Sequence, residues 1–462
     1  MTQTMTRSTT QIMTPQWIDD ARFYHIYPLG LLGAPARNDF SADPVPRLEA
    51  LHPWIEHIAG LNLNAVYLGP VFESTAHGYD TADYFRVDRR LGTWDTLRDV
   101  IAAMKARGMR VILDGVFNHV GRDFWAFRDV LAHGQASAYT GWFHNIDFSR
   151  TSPYGDPFGY EGWAGCMDLV KLNTSHPGVR GHLFDAVSTW IADFDIDGLR
   201  LDAADALDHD FLRALVAHCH TIKPDFWLMG EVVHGDYRQW ANPAMLDATT
   251  NYELYKGLYS SHADRNYFEI AYSLNREFGP EGMYRNLRLY TFADNHDVNR
   301  VASDLDDPAH LYPLYLLQFT VPGVPSVYYG SEWGLTGTRT RSSDAALRPA
   351  LTLDAATAAP HPALANAIRR FAALHRDLPA LRHGDFRQVH VDHEQIAFER
   401  RAGDQSVIVA TNAADHPVTL TLGRLPGSRL RDALNGGPAI PVHHGQATVT
   451  LNSAWGAVWV AE

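Results

Sequence analysis

Asp202, Glu231 and Asp297 each stand just past a short apolar run with strand character, in DGLRLDA, FWLMGEV and LYTFADNHD. Carboxylates at the mouth of a buried strand cost free energy unless they are paired or put to use. Two carboxylates flanking a glycosidic bond are the working pair of a retaining glycosidase: one attacks the sugar carbon while the other donates and then recovers a proton. Arg200 lies two positions before Asp202, and residues two apart on a strand face the same side. A guanidinium beside Asp202 is expected to hold it ionised with a lowered pKa, which suits a nucleophile. Glu231 closes a strongly apolar run. A partly dry site keeps a carboxyl proton to higher pH, which suits an acid.

Other residues fit the same chemistry. His119 closes DGVFNH and His296 adjoins Asp297, so two imidazoles are available to sugar hydroxyls. A third carboxylate strengthens such contacts as the ring becomes an oxocarbenium-like cation. Tyr79, in HGYDTADY, offers a ring for the apolar face of a sugar, and Asp344 and Arg348 in SSDAALRP offer an acid and a fork of donors to a second sugar. His234, Trp142, Phe143, Trp163 and Trp333 are candidate walls of the cleft. Taken singly, each has a plainer reading as a helix cap, a packed side chain or a surface ion pair. The combination argues for chemistry, because every acid follows a strand-like run.

Short β-branched or aromatic runs recur with helical patterns between them, the signal of βα units and a parallel sheet. There are eight: RFYHIYPLG, NAVYLGPVFE, RVILDGVFNH, DGLRLDA, FWLMGEV, MLDATTNYE, LYTFADNHD and PSVYYGSE. The intervening TWDTLRDVIAAMKARG, GVRGHLFDAVSTWIADFD and DFLRALVAHCHTIKP repeat apolar residues at helical spacing. The expected fold is α/β, a (β/α)8 TIM barrel with reactive groups at the carboxyl ends of its strands. A small irregular domain rich in aromatic residues, Gly and Pro is expected after the third strand, over residues 120–173. Alternating apolar and polar residues from 385 to 462 predict a C-terminal antiparallel β-sandwich domain, leaving 1–119 and 174–384 to the catalytic barrel.

The chain has 462 residues, 46% hydrophobic and 20% charged, enough for a large core. A formal net charge of −14 argues against nucleic acid or an anionic membrane as partner, since both reward clustered Lys and Arg. Cys166 and Cys219, the only cysteines, exclude a disulfide framework and a cysteine zinc site, and both read as buried thiols. The Thr-rich opening, MTQTMTRSTTQIMTPQ, lacks the apolar stretch of a signal peptide and is expected to fray. A cytoplasmic enzyme acting on an oligosaccharide, with no cofactor, follows as the default expectation.

The motifs DGVFNH, GLRLDAADA, GEVV and FADNHD resemble, in order and spacing, the four recurring motifs of the α-amylase family of glycoside hydrolases. The resemblance spans nearly the whole chain. It implies that Asp202 is the nucleophile, Glu231 the general acid and base and Asp297 the transition-state stabiliser. It also implies that Arg200, His119, His296 and Tyr79 bind the sugar at the cleaved bond. HGYDTADY, DFWAFRDVLAHGQASAYTGWF and MDLVKLN are most similar to the neopullulanase and cyclomaltodextrinase branch, whose members attack short or cyclic α-glucans.

That likeness implies hydrolysis of α-1,4 bonds, with α-1,6 bonds as a further target, in linear or cyclic malto-oligosaccharides. Alternatives are hydrolysis of the cyclic tetrasaccharide of two maltosyl units, transglycosylation, and a non-catalytic sugar-binding or transporter-partner role. Members of the branch dimerise through an amino-terminal domain, whereas residues 1–21 alone precede the first strand here, so a homodimer stays open. Many α-glucosidases of the family carry an acid two positions before the Gly-Tyr pair. Ala76 and His77 stand there instead, which weighs against an exo-glucosidase. Asn118 matches one ligand position of calcium-dependent relatives, but calcium takes about six to eight oxygens, so no metal is assigned.

Overall fold

The computed structural model describes residues 15–356 and 359–462. Most of the leader expected to fray, residues 1–14, lies outside them. Eight parallel strands form one sheet: β1 Phe23–Ile26, β2 Ala65–Leu68, β3 Arg110–Gly115, β4 Gly198–Leu201, β5 Trp227–Gly230, β6 Ala248–Thr249, β7 Tyr290–Phe292 and β8 Val324–Tyr328. A parallel bridge between Thr250 and Tyr290 joins β6 to β7 and closes the barrel. All eight runs picked from the sequence supply a strand, in the expected order.

Period-two alternation decides what the barrel holds. Phe23, Tyr67, Ile112, Trp227, Met229, Tyr290 and Phe292 form one buried cluster, with Trp17 and Ile18 packed against it. Further along the same strands polar groups follow, with Tyr67 bonded to Asp114 and Asp114 paired in register with Arg200. The barrel is thus apolar towards its amino-terminal end and ionic at its carboxyl end.

Around the sheet run α1 His52–Gly60, α2 Trp94–Ala106, α3 Pro177–Phe194, α4 His209–Ile222, α5 Tyr252–Ala263, α6 Tyr267–Phe278, α7 Leu311–Thr320 and α8 Pro362–Asp377. The boundaries follow capping chemistry. Thr93 and Thr96 close a capping box at the start of α2, which buries Leu97, Val100, Ile101 and Met104. Pro177 opens α3, and Asp195, in left-handed conformation, ends it. The alternation of strand and helix fails once: between β5 and β6 only the 3-10 turn Tyr237–Gln239 forms. Its segment carries Gly235, Asn242 and Pro243 and no apolar repeat of helical period.

The excursion after β3 contains the helix Trp125–His133 and a three-stranded antiparallel sheet of His119–Gly121, Cys166–Lys171 and Gly162–Trp163. Its core takes in two of the expected cleft walls. Phe143 is buried edge-on against Phe127, and Trp142 packs against Trp125. Trp333 is also no wall: it is buried and stacked on His57. Cys219 is buried but Cys166 is exposed on the strand Cys166–Lys171, correcting the expectation of two buried thiols; both are free. From Asp385 an antiparallel six-stranded sheet packs with the pair Val418–Leu422 and Ala447–Leu451 over a core that includes Ile408, Leu422, Leu430, Val449 and Trp459. No helix among the described residues is long and apolar enough to cross a membrane.

Candidate active site

Asp202 directly follows β4 and Glu231 directly follows β5, each held by a backbone bond to the neighbouring strand, Asp202 N to Gly115 O (3.1 Å) and Glu231 N to Leu201 O (2.9 Å). Asp297 lies five residues past the end of β7, where its N–H donates to the side chain of Asn295 (2.8 Å). The three strand ends converge on one cleft of about 380 Å3, lined also by Tyr79, His119, Asp344 and Arg348.

Arg200 organises it. Its Nη1 lies 2.9 Å from Asp202 Oδ1 and 2.9 Å from Asp114 Oδ1, and its Nη2 lies 2.9 Å from Glu231 Oε1. One guanidinium therefore spans the two proposed reacting carboxylates. Asp114 fixes the arginine from behind, its other oxygen accepting from Tyr67 (2.7 Å) and Tyr79 (2.9 Å). Glu231 Oε2 accepts the N–H of Ala203 (3.0 Å), and Tyr252 Oη approaches Oε1 at 3.4 Å. Ala203 sits at φ 45°, a left-handed conformation that costs a non-glycine residue roughly 1 kcal/mol and is tolerated here just beyond β4.

Asp297 stands opposite another pair of donors. His296 Nε2 is 3.0 Å from its Oδ2 and Arg348 Nη2 is 2.9 Å from its Oδ1. Asp344 pairs with Arg348 (3.3 Å) and with Arg339 (3.0 Å). His119 stacks near Trp163 and turns its Nε2 towards Asp202 Oδ2 at 3.6 Å; that nitrogen makes no hydrogen bond among the described residues. The Tyr79 hydroxyl bonds to His296 and its ring lies parallel to the imidazole at 5.3 Å. Gly78 makes this placement achievable: its φ is 89°, and a Cβ there would fall 2.5 Å from Pro70.

The electrostatics correct one expectation. Arg200 does pull the Asp202 pKa down, but burial and the negative charges of Glu231, Asp114 and Asp297 outweigh it, and Asp202 is pushed well above the usual carboxylate range. Glu231, its side chain mostly buried, is ringed by the Arg200, Ala203 and Tyr252 donors. Asp297 behaves oppositely. Burial acts to raise it, yet His296, Arg348 and Arg200 prevail and hold it well below the ordinary value. Burial, aided by His77, pushes His119 down to about 3, so its ring is neutral.

All nine residues singled out from the sequence meet in or against this cleft: Asp202, Glu231, Asp297, Tyr79, His119, Arg200, His296, Asp344 and Arg348. Trp163 lines it too, while His234 faces an adjoining groove. Sequence reasoning missed Asp114, Tyr252 and Arg339. Asp114 had a signal, being the strand-borne acid of DGVFNH, and Tyr252 follows the sixth strand; Arg339 lies on an irregular stretch with no pattern.

A model of the α-amylase catalytic domain matches residues 47–367, and one of the maltogenic amylase C-terminal domain matches residues 386–459. This chain belongs to the α-amylase family. Within the family it is 32% identical to a cyclomaltodextrinase of Geobacillus thermopakistaniensis (strain MAS1) over 88% of its own length and 71% of that protein. A cyclomaltodextrinase of Bacillus sp is 34% identical over 70% of this chain and 61% of its own. A solved structure of cyclic α-maltosyl-(1→6)-maltose hydrolase from Arthrobacter globiformis, in complex with that sugar, superposes with a TM-score of 0.83 at 29% identity, covering 97% of this chain and 100% of that one. The family match covers every strand of the barrel after β1 and all three acids.

Proposed function

We propose that this α-amylase family member is a retaining hydrolase of α-1,4 bonds, with α-1,6 bonds as a further target, in short linear or cyclic malto-oligosaccharides. The observation that carries this reading is the single Arg200 guanidinium touching both Asp202 and Glu231 at 2.9 Å, which sets the two carboxylates on one cleft.

In the proposed reaction a proton passes from the Glu231 carboxyl to the glycosidic oxygen while the Asp202 carboxylate attacks the anomeric carbon. The bond to the leaving sugar breaks and a glycosyl ester of Asp202 forms. Glu231, now ionised, takes a proton from water; the water oxygen attacks the same carbon, freeing Asp202 and restoring the α configuration. Asp297, held ionised, accepts from ring hydroxyls as positive charge develops. Neutral His119 offers its unpaired Nε2 to a hydroxyl beside Asp202, and Asp344 with Arg348 extends the polar wall.

Hydrolysis of cyclic maltosyl-(1→6)-maltose is the second reading, favoured by the end-to-end likeness to the Arthrobacter hydrolase. The units drawn from the sequence, a barrel of residues 1–119 and 174–384, an insertion of 120–173 and a sheet domain of 385–462, are proposed as the divisions of labour. A cytoplasmic site of action is proposed with them, in keeping with a 30% identical relative named intracellular maltogenic amylase. Turnover of maltotriose, pullulan, cyclodextrins and the cyclic tetrasaccharide, followed by proton NMR of the first-formed anomer, tests the reading. The α-anomer is expected first. The β-anomer first, or no turnover of any α-glucan, contradicts it.

A further inference from the structure

The chain carries a formal net charge of −14, yet one pocket at the seam between the barrel and the sheet domain gathers cations. It holds about 170 Å3 and lies beside Arg288, Pro322 and Gly323, which precede β7 and β8, so it sits at the end of the barrel opposite the cleft. Arg285 and Arg288 reach it from the segment before β7, Arg382 from the short helix Pro379–His383, and Arg400 from the strand Gln395–Ala402. Three of these have a carboxylate: Arg285 pairs with Asp385 (3.0 Å), Arg288 with Asp19 (2.6 Å) and Arg382 with Asp20.

Arg400 has no such partner among the described residues. Only 1% exposed, it donates to the Gly384 carbonyl from Nε (3.2 Å) and Nη2 (2.9 Å) and to the Thr320 carbonyl from Nη1 (2.6 Å). Neutral carbonyls satisfy its hydrogen bonds but leave its charge uncompensated, and a buried ion without a counter-ion is costly. Burial first, then the charge of Arg288, push its pKa down to about 9, and Asp385 restores only part. Donors also remain over. Arg288 gives Asp19 its Nε alone among the described residues, leaving both Nη groups, and Arg382 Nε is buried with no partner among those residues. Asp385 is the one acid that lines the pocket, and Arg285 grips it from Nε (3.2 Å) and Nη2 (3.0 Å).

Guanidinium groups from three separate segments around one small pocket match an oxyanion whose oxygens point in several directions. A tetrahedral phosphate has that shape, whereas a flat carboxylate offers one edge. We propose that this seam pocket binds a phosphate group, free or carried on a small sugar, with Arg288, Arg382 and Arg400 as its cationic partners. The anion ties the barrel, the linking helix and the sheet domain together, and so stabilises the fold from the end remote from the reaction.

The test is thermal unfolding of the full chain against rising inorganic phosphate, with potassium chloride at equal ionic strength and pH as the reference, for the wild type and for Arg288→Gln/Arg382→Gln. The wild-type Tm should climb to a plateau about 2 °C above the chloride curve, and the double variant should lose the plateau. Isothermal titration calorimetry on the folded proteins reads the same binding without melting, and Kd should rise at least about tenfold in the variant. Arg288→Gln alone, which disturbs one partly exposed ion pair, gives the same direction if the double variant does not fold. Saturation by inorganic phosphate assigns the free ion, and a Kd about tenfold tighter for a glucose phosphate assigns the sugar-borne group. A steady rise without plateau, equal in wild type and variant, is the general salting effect of phosphate and overturns the site. Equal saturation by acetate overturns it as well. Neither readout needs turnover, so failure here leaves the proposed hydrolysis standing.

Discussion

The two ends of β4 solve opposite electrostatic problems within six residues. Asp197, just before the strand and fully buried, is surrounded by Lys105 (2.8 Å), Arg110 (2.9 Å) and Lys223 (3.3 Å) and also accepts the N–H of Val111 (2.9 Å). Burial acts to raise its pKa, but these donors win and hold it below the usual range. Asp202, just after the strand, shares one arginine with Asp114 and Glu231, and its pKa goes up. The first end spends cations to settle an anion; the second crowds anions around too little positive charge. The difference separates an acid that holds the barrel together from one whose ionisation is opposed where the chemistry is proposed.

Substitution at each end should therefore dissociate activity from stability. The largest effect is expected from Asp202→Asn: kcat on maltotriose falls by about four orders of magnitude or more, because the covalent step is lost. The same variant should be more stable than wild type by about 1 kcal/mol in urea melts at neutral pH, since it relieves carboxylate crowding. Asp197→Asn should do the reverse. It removes the buried anion on which three cations converge, leaving Lys105 and Lys223 only Asp195 and Arg110 only Asp225, and is expected to lower stability by about 3 kcal/mol, with kcat per folded molecule close to wild type. Loss of turnover in Asp197→Asn at full stability would erase the contrast.

Glu231→Gln sharpens the site end. It should slow hydrolysis of maltotriose by about a thousandfold, yet far less for an α-glucosyl fluoride, whose leaving group needs no proton. An equal loss on both substrates would remove Glu231 from the acid role.

The pH dependences should also diverge. Asp197 is lowered in the folded state, so its contribution is present above the unfolded value of about 3.9 and is lost as pH falls through the lower folded value. Asp202 is raised, so its favourable contribution is complete below the unfolded value and lost as pH rises through the folded one. Wild-type urea melts below about pH 4 should thus steepen in loss relative to Asp197→Asn. Asp202→Asn should flatten the decline above that pH, the smallest of these effects.

The barrel was legible because each strand is a short apolar run ended by a charged or turn-forming residue, and the residues after those runs had to lie at one rim. Arg200 and Asp202 were legible as a same-face pair. What the sequence did not disclose was how many other charges face them. From GLRLD alone the guanidinium should lower Asp202; its burial in the folded cleft, with Glu231 and Asp114 arriving from β5 and β3, reverses the sign. Arg339, the packing of Trp142 and the burial of Phe143 and Trp333 were equally hidden, because irregular segments and lone aromatics carry no period to read. The missing helix between β5 and β6 left a trace in Gly235 and Pro243 that the expectation of regular alternation overrode.

The most direct measurement traps the ester on the nucleophile. A 5-fluoro-α-glucosyl fluoride should slow the second step enough for the glycosyl-enzyme to accumulate, and peptide mass spectrometry should place the added sugar on Asp202. Adduct on another residue, or inactivation-free turnover releasing the β-anomer, would contradict a double displacement across Asp202 and Glu231.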